Sequence, residues 1–204
     1  SFISANVHSS VSGTVVKIDD ALDSSGYRRK CIFIEVEGDE WVEGVDNTST
    51  LMKEITLSHD EIIERVKASG IVGMGGATFP TNVKLKVPEG KTAEYLLING
   101  VECEPYLTSD HRVMLEKSEE LLVGIQILMK ALDVKSAFIG IEKNKPDAIA
   151  HLTSLAVHYK GIQVVPLKVK YPQGGEKQLI KAVTGREVPS GRLPIDVGCV
   201  VQNV

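Results

Sequence analysis

The chain has 204 residues, 43% of them apolar and 25% charged, with a formal net charge of −4. That suits one domain plus a smaller appendage with an ordinary core, and it gives no overall attraction to nucleic acid or to an anionic membrane. No run approaches the roughly 18 apolar residues of a spanning helix, and Ser-Phe-Ile-Ser-Ala-Asn at the N-terminus lacks the basic-then-apolar order of a signal peptide.

The first elements read as β. Asn6–Ile18 carries Val7, Val11, Val15 and Val16 around Ser12 and Gly13, and Cys31–Val36 contains Ile32-Phe33-Ile34 after a polar loop over Asp19–Lys30. Trp41–Thr50 is polar and irregular, a connector. Residues 1–50 are therefore expected to stand apart from an α/β domain over 51–204.

Ser58 opens a helix with Glu61 three residues on, a capping box. Ile62, Ile63 and Val66 give it an apolar face, and Gly70 stops it. A glycine-rich loop, Gly73 to Thr81, follows. Tyr95–Ile98 is a short strand. Ser118 begins a helix with Glu119 and Glu120 in its first turn and Leu121, Leu122, Ile125, Leu128 and Met129 at helical spacing. Ala137–Ile141 is a strand, and Pro146 starts a helix to about His158 on which His151 and His158 are expected to face outward. Ile162–Val169 is a strand and Glu176–Val183 a helix ended by Gly185. Strands separated by such helices predict an α/β layer with mostly parallel pairing. Gly198–Val204 reads as a loop entering a buried element, so the chain is expected to continue past Val204.

Cys31, Cys103 and Cys199 form no Cys-x-x-Cys pair, which argues against a disulfide framework or a zinc or iron–sulfur ligand set in these residues. The histidines form no His-x-x-x-His pair, so no metal site is expected. Cys103 reads as packing, because no base stands beside it in sequence.

Residues 73–81 read Gly-Met-Gly-Gly-Ala-Thr-Phe-Pro-Thr. Gly73, Gly75 and Gly76 allow close backbone approach to a ligand, and exposed amides in such a loop suit a phosphate. Lys84, Lys86 and Lys91 could supply counter-charge. The dinucleotide fingerprint is excluded, because a helix rather than a strand precedes the glycines and Phe79-Pro80 is expected to delay helix entry. No Gly-Lys-Ser/Thr closes a Walker A loop. On these grounds alone, a phosphate cradle and a plain turn both remain open.

The run Gly-x-Gly-Gly-Ala-x-Phe-Pro-Thr-x-x-Lys resembles the flavin-binding loop of the flavoprotein subunit of respiratory complex I and its relatives. Asn99-Gly-Val-Glu-Cys-Glu-Pro-Tyr106, Tyr171-Pro-Gln-Gly-Gly-Glu-Lys-Gln-Leu179 and Gln202-Asn203-Val204 extend the resemblance over most of 58–204. Val101 stands where the complex I pattern has an acid, and Gly175-Glu176 where it has two. The Val101 departure favours the RnfC family, the NADH- and FMN-binding subunits of Rnf ion-translocating ferredoxin–NAD oxidoreductases, whose signature the Tyr171–Leu179 run resembles closely. Residues 1–40 look like half of a barrel-sandwich module without the Met-Lys-Met turn of a covalent carrier.

The resemblance implies a Rossmann-like FMN/NADH-binding α/β domain after a small barrel-sandwich-like β segment. Gly73, Gly75, Gly76 and Lys84 would line FMN, with Phe79 either stacking on adenine or serving as a core aromatic. Asn99 would meet a flavin edge from the carboxyl end of a strand, where α/β ligands bind. Glu102 and Glu104 would lend a negative field, Tyr171, Gly174, Gly175 and Glu176 would border the flavin or nucleotide, and Asn203 would reach the phosphate end. The implied activity is hydride exchange between NAD(H) and FMN, with electrons passed to 4Fe-4S clusters outside these residues. The implied partners are the other Rnf subunits of ferredoxin-linked electron transport, and the implied place is the cytoplasmic face of the cell membrane as a peripheral subunit. A cobalamin reductase with the same motifs, and a scaffold that has lost FMN, are the competing readings.

Overall fold

The computed structural model describes residues 3–204; Ser1 and Phe2, part of the stretch weighed as a leader, lie outside them. Contacts divide the chain into two units, Val7–Thr50 and a larger one formed by Leu51–Val204 with the residues up to Asn6.

In the smaller unit β1 (Gly13–Leu22) and β2 (Arg28–Val36) form an antiparallel hairpin with a bulge between Val15 and Lys17. The polar stretch expected as a loop is mostly strand: Asp19–Leu22 pairs with Arg28–Cys31. Only Asp23–Tyr27 turns, held by the amides of Ser25 and Tyr27 donating to Asp23 Oδ1 at 2.9 and 3.0 Å. Polarity here marks a solvent-facing ladder, with Lys30 set 3.4 Å from Asp20 across the strands.

The larger unit runs α1 (His59–Ala68), α2 (Thr81–Leu85), β3 (Tyr95–Asn99), α3 (Ser109–Glu116), α4 (Ser118–Leu132), β4 (Ser136–Glu142), α5 (Pro146–Ala156), β5 (Ile162–Leu167), α6 (Glu176–Thr184) and β6 (Cys199–Asn203). The capping box at α1 is formed, with the Ser58 amide donating to Glu61 Oε2 at 2.8 Å. The four strands pair in parallel in the order β5-β4-β3-β6. Alternate residues of each strand feed opposite faces of the sheet. Leu96 and Ile98 of β3, Ala137 and Ile139 of β4 and Val200 of β6 join a core with Ile62 of α1, Ile125 of α4 and Leu152 of α5. Leu97 and Val201 join a second core with Leu179 and Ile180 of α6. The sheet is thus the middle of three layers.

This order positions the site. From β3 the chain builds outward through β4 to β5, then returns to place β6 on the other side of β3. The carboxyl ends of β3 and β6 therefore flank the point where the winding reverses, the place at which open α/β sheets leave a crevice.

As expected, no helix opens on the glycines: Pro80, at φ −60° and ψ 121°, is extended and caps α2, which begins only at Thr81. Two local expectations are corrected. His151 does not face out; it is half-buried, 2.8 Å from Ser118 Oγ at the start of α4. Helix α3 has no counterpart among the elements expected from the sequence, since Met114 is its one fully buried residue and tertiary contacts rather than amphipathic spacing hold it.

Candidate functional site

The glycine loop is pinned at its base. The Gly73 amide donates to Phe79 O at 3.0 Å and the Thr81 amide to Ile71 O at 3.0 Å. Between them, no amide of residues 74–78 donates to a backbone carbonyl among the described residues. Such a run of unpaired N–H groups is a ready donor set for an anion.

The loop lies on the end of β6. A Cβ placed on Gly75 would stand 2.4 Å from Asn203 Cγ, so any larger residue would have to displace the Asn203 carboxamide. Gly76 has nothing within 4 Å of such a Cβ. It faces the cleft.

Asn99 and Asn203 are register partners at the ends of β3 and β6. Asn99 Nδ2 donates to Gly174 O at 2.9 Å, and its Oδ1 accepts from the Val101 amide at 3.3 Å. One amide hydrogen and one lone pair of Asn99 remain for a ligand. Asn203 Nδ2 donates to Asp110 Oδ2 at 2.9 Å. Burial pushes the Asp110 carboxyl above the usual range and nearby Glu102 acts the same way, while the Asn203 hydrogen bond and the Lys145 charge oppose them. Lys84 of α2 reaches across to Val201 O at 2.9 Å and to Glu176 Oε1, at the start of α6, at 3.0 Å.

These groups enclose a cleft of about 230 Å³ lined by Gly73, Gly75, Gly76, Ala77, Phe79, Lys84, Asn99, Gly174, Glu176, Val201, Gln202 and Asn203. Glu102, Glu104 and Tyr171 instead border a second cleft of about 460 Å³ at the ends of β3, β4 and β5, with Tyr106, His111, Glu142, Lys145 and Lys170. Gly175 lines neither cleft; a Cβ there would meet Gln178 Oε1 at 2.4 Å. Glu102 is already engaged: its carboxylate accepts from the amides of Asp110 at 2.8 Å and His111 at 3.1 Å, capping α3. Helix α3 is also tied to α5, where His111 Nε2 lies 2.9 Å from Asp147 Oδ1 and holds that carboxyl below the usual range. Cys103 Sγ accepts from the Gly174 amide at 3.4 Å, a packing contact.

Sequence reasoning passed over Gln202. It is 8% exposed, lines the first cleft, and its Nε2 has no hydrogen-bond partner. Its place beside Asn203 at the strand end was the available signal. A buried amide without a partner is costly unless a ligand or water meets it. The bare loop amides and the free positions of Asn99 together form a donor-rich wall that fits a phosphate and a polar ring edge, so the residues present fit FMN. At about 230 Å³ the cleft is below the ~300 Å³ of small-molecule pockets and encloses only part of such a ligand.

Residues 66–204 match the model of the Nuo51 FMN-binding domain. The chain belongs to that family. Residues 1–39 match the RnfC barrel sandwich hybrid domain. The C subunit of the proton-translocating ferredoxin:NAD(+) oxidoreductase complex of Clostridium ljungdahlii is 52% identical over 204 residues, covering all of this chain and 44% of the relative. Its counterpart in the Na(+)-translocating ferredoxin:NAD(+) oxidoreductase complex of Acetobacterium woodii is 44% identical over 203 residues, again all of this chain and 45% of the relative. The chain thus spans under half the length of these curated relatives. Among solved structures, NAD+-reducing [NiFe]-hydrogenase in the air-oxidized state shares the fold, with a TM-score of 0.61 and 24% identity over 72% of this chain and 28% of that one. No helix among the described residues is long and apolar enough to cross a membrane.

Proposed function

We propose that the chain is the flavin- and nicotinamide-nucleotide-handling part of the C subunit of an ion-translocating ferredoxin:NAD oxidoreductase complex, and that its first cleft holds FMN. The observation that carries this reading is the cleft itself: bare loop amides over Gly75 and the paired Asn99 and Asn203, at the switch point of a parallel sheet. When bound, FMN would accept a hydride from NADH and release electrons singly, which links a two-electron donor to one-electron carriers.

The residues divide the work. Gly73, Gly75 and Gly76, with Asn203 beside Gly75, bind the phosphate end; Asn99 meets a polar edge of the flavin. Gly174 brings its backbone close, and Lys84, tied to Glu176, closes the wall between α2, α6 and β6. Phe79 offers a half-exposed ring beside the loop on which an adenine can stack. Glu104 and Tyr171 stand at the mouth of the second cleft, next to where a nicotinamide nucleotide would enter. No side chain is needed as an acid or base for hydride transfer. The 4Fe-4S clusters that take the electrons lie outside residues 1–204. Attachment is peripheral, through the other proteins of the complex at the cytoplasmic face, rather than through lipid.

The test is flavin content. The full-length protein, purified under native conditions, is expected to carry one FMN per chain, released on acid treatment, and to lose its flavin absorbance anaerobically on adding NADH. A colourless protein that takes up no FMN on reconstitution contradicts the proposal and favours the scaffold reading.

A further inference from the structure

Lys145 is only 6% exposed. It stands at the end of the turn after β4, immediately before α5. Burying an ammonium is costly unless its donors are met. Here Nζ donates to Val101 O at 2.8 Å, Glu102 O at 3.4 Å and Asn144 Oδ1 at 3.4 Å, all of them neutral oxygens. Two of the three belong to the turn by which the chain leaves β3.

That turn commands both asparagines. The amide of Val101, whose carbonyl Lys145 holds, donates to Asn99 Oδ1, and Asn99 in turn grips Gly174 O. The next residue, Glu102, sits at φ +45°, in the left-handed region that non-glycine residues avoid. There its carboxylate caps α3 through the amides of Asp110 and His111, and Asp110 receives Asn203 Nδ2. One buried ammonium therefore fastens the segment from which Asn99 is held directly and Asn203 through α3.

We propose that Lys145 is a positioning residue of the site: its ammonium fixes the Val101–Glu102 turn so that Asn99 and Asn203 face the first cleft together, and its charge, hydrogen-bonded only to neutral oxygens, favours a more negative ligand there. The inference rests on the FMN reading above. Reduced FMN carries more negative charge than oxidised FMN at neutral pH, so a buried cation nearby binds the reduced form preferentially. Lys145 lines the second cleft and not the first, so it does not touch FMN and takes no part in hydride transfer.

The test uses the full-length protein with Lys145→Met and Lys145→Gln. Methionine removes charge and donors at similar length; glutamine removes the charge but keeps a donor. Binding of oxidised FMN is followed by flavin fluorescence, and the midpoint potential of the bound flavin reports the ratio of reduced to oxidised affinity. Lys145→Met leaves Val101 O without its donor and is expected to weaken oxidised FMN roughly tenfold. Lys145→Gln recovers most of that loss. Both variants lower the midpoint potential, because both lack the charge. Wild-type affinity and potential in both variants overturn the proposal, as does a lower melting temperature with an unchanged potential, which marks a purely structural lysine. If Lys145→Met does not accumulate as folded protein, Lys145→Gln carries the same test. A wild-type protein that binds no FMN overturns the reading beneath it and this inference with it, and is told apart by being seen before any variant is made.

Discussion

Asn99 and Asn203 face each other in register as the last residues of two parallel strands that lie 104 positions apart in the chain. Their side chains are held by different partners, Gly174 O for one and Asp110 Oδ2 for the other. The sheet places the pair, and segments outside the sheet orient it.

The Asp110 contact makes stability depend on pH in a definite direction. Its carboxyl is raised by burial. A raised carboxyl favours the fold while protonated, below its unfolded value, and that contribution disappears as pH rises through the folded value. Asp110→Asn keeps an acceptor for Asn203 without the charge. Thermal melts from about pH 2.5 to pH 8, bracketing the carboxylate range, should show the variant gaining on wild type as pH rises and matching it at the acid end. A constant difference across that range would remove Asp110 as the cause.

Gly75 and Gly76 separate structure from ligand. A Cβ at Gly75 collides with Asn203, whereas one at Gly76 meets nothing in the protein. Without ligand, Gly75→Ala should cost about 1–3 kcal/mol as local overpacking. Gly76→Ala should stay within about 1 kcal/mol of wild type, with any gain coming from a less flexible unfolded chain. Urea unfolding of the ligand-free variants distinguishes them; equal losses would mean that the loop does not rest on Asn203.

Glu102 acts first on α3. Removing its carboxylate in Glu102→Ala frees the amides of Asp110 and His111 and should cost about 1–2 kcal/mol, the scale of a lost helix cap. Glu102→Gln retains an acceptor and should recover most of that. Amide hydrogen exchange localises the effect: residues 109–112 should exchange faster in the alanine variant. Unchanged exchange there would show the cap to be dispensable.

Regular elements were legible where pattern and cap agreed. Ser58 with Glu61, the aliphatic run after Ser118, and Gly185 each marked an element boundary that the fold keeps. Elements that depend on distant partners were not. Helix α3 has little apolar face of its own, and the paired strand ends carrying Asp19 and Lys30 are polar because their side chains point to solvent and to one another. In the cleft, the glycines and asparagines announced themselves by local motif. Asp110, Gln202 and Lys145 did not. Asp110 meets Asn203 across 93 positions and Lys145 meets Val101 across 44, while Gln202 stands out only by lacking a partner. Glu102 was legible as a residue of interest, but its engagement with α3 is visible only in three dimensions.

The proposed place of FMN, the cleft above Gly76, is tested most directly by an equilibrium titration of the full-length protein with FMN, repeated on Gly76→Val. Saturable binding of one FMN per wild-type chain is expected, lost in Gly76→Val while that variant's ligand-free unfolding curve stays close to wild type. Wild-type FMN affinity in Gly76→Val would contradict it.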